Sequence, residues 1–384
     1  MPLIERPALT QAVIRALDRS PCAALLGPRQ CGKTTLARSI ASSRPCEFLD
    51  LEDPSVAARL ENASLTLGRM RGLVIIDEVQ LRPELFGLLR VLLDREGTPA
   101  RFLLLGSASP GIVRGASESL AGRVEFVMMG GFGLQEVGAD RLEDLWLRGT
   151  FPRSLLAGGE EDSYAWRRDF VQTFLERDLR NLGVNVAPEM LRRFLTMLAH
   201  HHGGAFNSSD IASSLQVAHT TTRRYLDLMS GAFLVRQLPP WFENVGKRVV
   251  KSPKVYVRDP GLLHLLLGIR TRAELEAHPK FGSSWEGFAL EEILRSFDER
   301  DAYFWGTYAG AELDLLIAPR GRRLGFEFKV TDAPRTTKAM RVALSDLELE
   351  HLYVVHPGET TYPLDDRITA LALRGAAELL GAAR

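Results

Sequence analysis

Cysteine is scarce in this chain and long apolar runs are missing. Among 384 residues there are 3 cysteines, Cys22, Cys31 and Cys46, an odd set near the N-terminus that describes no framework of secreted disulfides. A reducing, cytoplasmic setting is expected. No stretch reaches the roughly 18 apolar residues that a membrane helix needs, and Met1 to Thr10 carries Pro2, Glu5, Arg6 and Pro7 instead of the apolar core of a signal peptide. No membrane partner is expected. An excess of either charge is absent too: Lys+Arg and Asp+Glu are both 48, so attraction to a polyanion has to come from a local patch. Internal repeats and low-complexity tracts are also lacking.

What is present is a globular composition, 45% hydrophobic and 25% charged, at a length that suits two or three cores. The first part alternates short apolar strands with helices. Strands are expected at Cys22 to Gly27, Glu47 to Leu51, Leu73 to Asp77 and Arg101 to Ser107, with helices at Lys33 to Ser42 and Glu84 to Asp94. Such alternation predicts a parallel sheet covered on both faces. The expected division is an α/β domain over 1–140, a helical connector or lid over 141–200, a basic helix-turn-helix segment over 201–265 and a second α/β unit over 266–384.

Residues 27 to 34 read Gly-Pro-Arg-Gln-Cys-Gly-Lys-Thr, the G-x4-G-K-T pattern of a phosphate-binding loop. A strand precedes it and a helix comes after it, so backbone N–H groups of Gly27, Pro28 to Cys31 (Arg29 and Gln30 between them, Pro28 lacking one), Gly32 and Thr35 and the helix N-terminus can surround phosphate oxygens. Lys33 supplies a charge to the β- and γ-phosphates, and the Thr34 hydroxyl can ligate Mg2+. The apolar run Leu73 to Ile76 ends in Asp77-Glu78. Asp77 is placed to hold magnesium through water, and Glu78 to act as general base for the attacking water. Ser107, ending the fourth strand, is a candidate γ-phosphate sensor. Arg123 is the favoured arginine for completing a neighbour's site in trans, with Arg114 and Arg153 as rivals. ATP and Mg2+ are the expected cofactors.

With these motifs the chain resembles a family. The run Leu25 to Lys33, Asp77-Glu-Val-Gln80, Gly106-Ser-Ala-Ser109, Ser119-Leu-Ala-Gly-Arg123 and Phe174-Leu-Glu-Arg-Asp178 is similar to a widespread prokaryotic group of AAA+ ATPases whose C-terminal half is a domain of unknown function. The likeness spans nearly the whole chain. It implies an AAA+ core, an oligomer, and ring assembly such as a hexamer with each site completed by a neighbouring arginine.

Asn207 to Asp210 caps a short helix to Leu215, and a turn leads to a second helix from Thr220 to about Gly231, the spacing of a helix-turn-helix. Phe233 to Leu238 and Lys254 to Val257 are expected as the two strands of a wing. Between His200 and Arg258 there are eight Lys/Arg (Arg223, Arg224, Arg236, Lys247, Arg248, Lys251, Lys254, Arg258) against Asp210, Asp227 and Glu243, so 8 − 3 = +5. Thr221, Arg223 and Arg224 on the second helix and Lys247, Arg248 and Lys251 in the wing loop are the candidate contacts to DNA. A winged helix used only for packing is the alternative. The consecutive His200, His201 and His202 fit a polar helix end better than a metal site.

The last unit is expected as a helix (Ser284 to Phe297), three strands (Ala302 to Thr307, Glu312 to Ile317, Leu324 to Val330), a helix (Thr336 to Leu347) and a strand (His351 to Val355). This order resembles the restriction-endonuclease fold. Asp314, and Glu327-Phe-Lys329 with Glu327 and Lys329 on one strand face, resemble a PD-(D/E)xK signature, with Leu313 where proline is usual and Glu286 as a further carboxylate. The resemblance implies carboxylates for Mg2+ and a lysine beside the attacking water. The function that unites these features is an oligomeric ATPase remodelling or translocating on duplex or branched DNA, in repair or recombination such as Holliday-junction branch migration. Two alternatives stand beside it: a nucleotide-controlled DNA-binding switch on a non-catalytic nuclease-like scaffold, and a metal-dependent defence or restriction nuclease.

Overall fold

Along Cys22–Gly27 and Leu73–Asp77 every position is buried, which requires apolar packing on both faces of a sheet. The computed structural model describes residues 3–42, 44–96, 100–107, 118–179, 186–242, 252–307, 310–319 and 321–382, with Ser107 and 381–382 described by backbone alone. The chain divides into two compact units, Met1–Gly131 with Gly231–Phe233, and Phe132–Ser230 with Leu234–Arg384.

In the first unit, β1 (Cys22–Gly27), β2 (Cys46–Asp50), β3 (Leu73–Asp77), β4 (Arg101–Ser107) and β5 (Val124–Met128) form a sheet in the order β2-β3-β4-β1-β5. All neighbours are parallel. The two-residue strand period sorts the side chains. Ala23, Leu25, Ile75, Leu103 and Leu105 pack with residues of α1 (Pro7–Arg19) and α2 (Lys33–Ala41), while Ala24, Leu26, Val74, Ile76 and Leu104 pack with α5 (Leu85–Leu93). Two short helices, α3 (Pro54–Arg59) and α4 (Ala63–Arg69), lie between β2 and β3 in sequence. Because β4 separates β1 from β3, the phosphate loop and the acidic strand end lie one strand apart at the same edge of the sheet.

The second unit contains the expected connector, helix-turn-helix and C-terminal α/β segments together. Trp146, in the helix Leu142–Arg148, is fully buried against Phe281 at 5.3 Å and Trp285 at 5.1 Å between ring centroids, and its indole N–H donates to Ser284 Oγ at 2.9 Å. His264 joins the same network, with Nε2 2.7 Å from Ser284 Oγ and Nδ1 3.0 Å from the Leu147 carbonyl. The buried Asp259 carboxylate accepts from Thr150 N–H and hydroxyl and caps the helix Pro260–Leu266.

Helix Pro188–His200, β6 (Gly204–Ala205), helix Ser208–Leu215, helix His219–Gly231, β7 (Val235–Leu238) and β8 (Lys254–Val257) come next in order, the strands pairing antiparallel as β6-β8-β7. Gln216 ends the first helix of the pair in the left-handed conformation. Helix Phe281–Leu294 then leads to a mixed sheet of β9 (Ala302–Gly306), β10 (Glu312–Ile317), β11 (Leu324–Phe328), β12 (His351–His356), β13 (Tyr362–Asp365) and β14 (Ile368–Ala372), in the order β13-β14-β12-β11-β10-β9. β9, β10 and β11 are antiparallel, whereas β11, β12 and β14 run parallel, with helix Lys338–Asp346 between β11 and β12 in sequence. Met340 and Leu344 of that helix pack on Leu316, Leu352 and Val354. The helix before the sheet begins at Phe281, three residues ahead of the expected Ser284.

Candidate functional site

The phosphate loop is shaped by two glycines with different tasks. Gly32 has φ 102° and caps α2 without a side chain, which leaves the first N–H groups of the helix open to an anion. Gly27 is needed for space rather than for a left-handed backbone: a Cβ there would stand 1.9 Å from the Met129 carbonyl oxygen. Gln30 also takes a positive φ, 61°, and is exposed, as is Thr35; Pro28 and Cys31 are buried. Arg29 pairs with Glu52 at 3.1 Å.

Lys33 is buried, and its ammonium donates to the carbonyls of Gly27 (3.1 Å) and Pro28 (2.9 Å). The Thr34 hydroxyl donates to Asp77 Oδ2 at 2.7 Å, and the other carboxylate oxygen accepts from Glu78 N–H at 2.9 Å. Glu78 itself adopts a left-handed conformation, φ 53°, that turns its side chain out of the strand direction. Its carboxylate accepts from the Gln80 amide. Burial raises the pKa of Asp77, against the Thr34 and Glu78 hydrogen bonds; burial also raises Glu78, against the pull of Lys33. Ser107 ends β4 and is the register partner of Gly27.

One residue of this site was not legible in the sequence. Arg6, just before α1, is buried and donates to the carbonyls of Cys31 (3.4 Å), Gly130 (3.1 Å) and Gly131 (2.9 Å). It thereby ties the phosphate loop to the segment after β5. Only its place before Pro7 hints at anything, and that hint is a helix start.

Arg123 lies in a turn leading into β5, and its carbonyl accepts from Cys22 N–H at the start of β1, the end of the sheet opposite Gly27. Its guanidinium holds Asp94 in two contacts, 2.5 and 2.8 Å. Arg153 is exposed, and Arg114 lies outside the described residues. The Phe174 to Asp178 motif is a π-helical turn that buries Phe174, Leu175 and Asp178.

In the basic segment, much of the charge counted in the sequence is spent internally. Arg236 and Arg258 both contact Glu291 and Glu299, at 2.5 to 3.2 Å. Burial works against Glu299, but Arg258 and Arg236 prevail and lower it to about 2. Lys254 is also paired inside the fold. Of the eight cations, three are thus engaged; Lys247, Arg248 and Lys251 lie outside the described residues, and Arg223 and Arg224 are exposed. Thr220, Arg223, Arg224 and Asp227 share the outward face of helix His219–Gly231, with Thr221 half-buried. Thr222 is turned inward, its hydroxyl donating to the carbonyls of Ser208 and His219. Buried His202 accepts from Val257 N–H, while His200 is exposed and His201 half-buried at the helix end.

Helix Phe281–Leu294 and the C-terminal sheet together bring Glu286, Asp314, Glu327 and Lys329 into one electrostatic group. β10 shifts register against β9 between Leu313 and Leu316, a bulge of the kind that re-aims a side chain. Asp314 Oδ2 accepts from Phe328 N–H at 3.1 Å, and Lys329 donates to Glu327 at 3.0 Å. Tyr256 O–H donates to Glu286 at 2.7 Å. Burial, and then the Asp314 charge, raise both Glu286 and Glu327. Among the described residues no three His, Cys, Asp or Glu are arranged to hold a metal ion, and no helix is long and apolar enough to cross a membrane.

Comparison with known proteins fits this geometry. Residues 19–138 match the AAA domain family, 139–273 a domain of unknown function (DUF8612), and 281–375 another (DUF4143). The Walker-type ATPase PABY2304 of Pyrococcus abyssi shares the fold at TM-score 0.50 and 16% identity, over 69% of this chain and 96% of that one. Two mycobacterial proteins, uncharacterized protein Rv2008c of Mycobacterium tuberculosis (strain ATCC 25618 / H37Rv) and uncharacterized protein Mb2031c of Mycobacterium bovis (strain ATCC BAA-935 / AF2122/97), are each 51% identical over 370 residues, covering 96% of this chain and 84% of theirs. The N-terminal unit is a P-loop AAA domain, and the chain belongs to the family of these two mycobacterial proteins.

Proposed function

We propose that the chain hydrolyses ATP at Lys33, Thr34, Asp77 and Glu78 and couples the nucleotide cycle to DNA held by its second unit. The observation that carries the hydrolytic half is the 2.7 Å contact between Thr34 and Asp77, with Lys33 and Glu78 fixed on either side. Lys33 exchanges its two loop carbonyls for phosphate oxygens, and the open N–H groups of α2 take the remaining phosphate charge. Thr34 Oγ1 and Asp77 Oδ2 fit the oxygen ligands Mg2+ takes; they would hold it with ATP, where it offsets charge on the β- and γ-phosphates. Glu78 takes the proton of the attacking water. Ser107, beside Gly27, is the proposed γ-phosphate sensor. Arg123, or Arg114 or Arg153, acts in trans within a ring such as a hexamer.

The DNA half is supported by the exposed Arg223 and Arg224 on the second helix of the pair. Helix, strand, two helices and two strands follow the order of a winged helix, and Lys247, Arg248 and Lys251, outside the described residues, fall between β7 and β8 in sequence. Phosphate release is measured against single-stranded, duplex and four-way DNA, with Glu78→Gln as control. Strong stimulation by one DNA form supports a remodelling or translocating motor, as in repair or recombination. Slow turnover unaffected by DNA favours the nucleotide-controlled switch instead. A second reading, a metal-dependent nuclease, draws on the grouping of Glu286, Asp314, Glu327 and Lys329. Its test is DNA nicking by wild type and Lys329→Ala; equal residual activity in both sinks it.

A further inference from the structure

Lys254 sits inside the acidic group, a place that no sequence motif marks. It is the first residue of β8, whose four positions are all buried, and the strand period puts it on the same face as Tyr256. Both side chains reach Glu286. The Lys254 ammonium lies 3.6 Å from Glu286 Oε1, 3.5 Å from Asp314 Oδ1 and 2.5 Å from Glu312 Oε1, and 5.6 Å from the centre of the Phe304 ring. These contacts come from one helix, from β10 and from an aromatic face on β9. They hold one point charge where the carboxylates converge.

The donor set does not fit a divalent cation. Such an ion takes six or more oxygens, mostly from carboxylates and water, yet each carboxylate here already has an internal donor. Glu286 has Tyr256 and Lys254, Asp314 has Phe328 N–H and Lys254, Glu327 has Lys329, and Glu312 has Lys254. Lys254 and Glu312 both line a cleft of about 310 Å³ bordered by Gly203, Gly204, Gly306 and Gly310, so a cation entering it meets their ion pair.

We infer that Lys254 is the resident cation of this centre, standing in the place of a divalent metal, and that the centre binds no divalent ion while that ammonium is present. The inference is independent of the ATPase reading, whose Glu78→Gln control does not touch this unit. It stands against the metal-dependent nuclease reading of the same residues, so metal-dependent nicking that Lys329→Ala abolishes would overturn it.

Mn2+ binding to the nucleotide-free full chain tests it, by isothermal titration of wild type, Asp314→Asn, Lys254→Met and the Lys254→Met/Asp314→Asn pair. Wild type and Asp314→Asn are expected to give the same isotherm. Lys254→Met gains about one equivalent of Mn2+, and the added Asp314→Asn removes it. Loss of a Mn2+ equivalent on going from wild type to Asp314→Asn overturns the inference, as does a folded Lys254→Met that gains none. If Lys254→Met does not fold, Lys254→Gln with Glu312→Gln replaces it, the readout being a Tm that Mn2+ raises in this variant and not in wild type. Should neither fold, the wild-type and Asp314→Asn isotherms decide alone.

Discussion

At the scale of single residues, the nucleotide site separates chemistry from shape. Glu78→Gln keeps the hydrogen bond to Gln80 and removes the proposed base, so ATP binding is expected to persist while turnover falls roughly 100-fold or more; equilibrium binding and phosphate release, measured together, check this. Shape is tested at Arg6, which holds the Cys31 carbonyl of the phosphate loop together with the carbonyls of Gly130 and Gly131. Arg6→Ala strands three carbonyls that it now satisfies, and losing charge-assisted hydrogen bonds of this kind costs about 2 kcal/mol or more. The expected result is a lower Tm with weaker ATP binding; an unchanged Tm would refute the tie. Lys33 and Glu78 were legible because the G-x4-G-K-T spacing and the acidic strand end each demand a residue type. Arg6 was not, since its partners are backbone carbonyls more than 20 residues away and such partners leave no mark on sequence. Lys254 is obscured for a different reason. By charge alone it groups with the surface cations, although its alternation with Tyr256 in a buried strand places both on one inward face.

At the scale of elements, helix His219–Gly231 and the packing around His264 make separate claims. Arg223→Ala with Arg224→Ala is expected to weaken DNA binding and reduce the salt slope by roughly 1 to 2; unchanged affinity over a salt titration would remove this helix from the interface. His264 is held neutral by burial, aided by Arg167 and Arg272 and opposed by its bond to Leu147, with its pKa lowered to about 3. The unfolded chain therefore binds more protons between about pH 6.5 and 3, and the stability His264 contributes is lost as pH falls through that window. His264→Gln is expected to be less stable than wild type at pH 8, with the gap narrowing toward pH 4; a gap constant with pH in thermal unfolding would contradict it. Strands read well where both faces are buried: Cys22–Gly27 and Leu73–Asp77 have the expected bounds. Edge elements did not. Val124–Met128 is only partly buried, and Tyr362–Asp365 contains Pro363, which argues against a strand in sequence but is tolerated at the sheet edge.

At the scale of the whole molecule, sequence patterning reveals the order of elements but not their grouping. The connector, helix-turn-helix and C-terminal sheet segments look separable along the chain. Trp146 on Ser284 and Trp285, and Asp259 on Thr150, bind the connector to the later segments within one unit. These are buried contacts between residues more than 100 positions apart, which local periodicity does not encode.

The aromatic packing around Trp146 has an optical counterpart. All 5 tryptophans, Trp146, Trp166, Trp241, Trp285 and Trp305, belong to the second unit, and the P-loop unit has none. Native tryptophan emission therefore arises from the second unit, the part proposed to hold DNA. If the nucleotide cycle drives that part, ATP added to Glu78→Gln shifts the spectrum without any label, and Lys33→Ala abolishes the shift. A spectrum indifferent to saturating ATP would describe an engine idling, disconnected from its load.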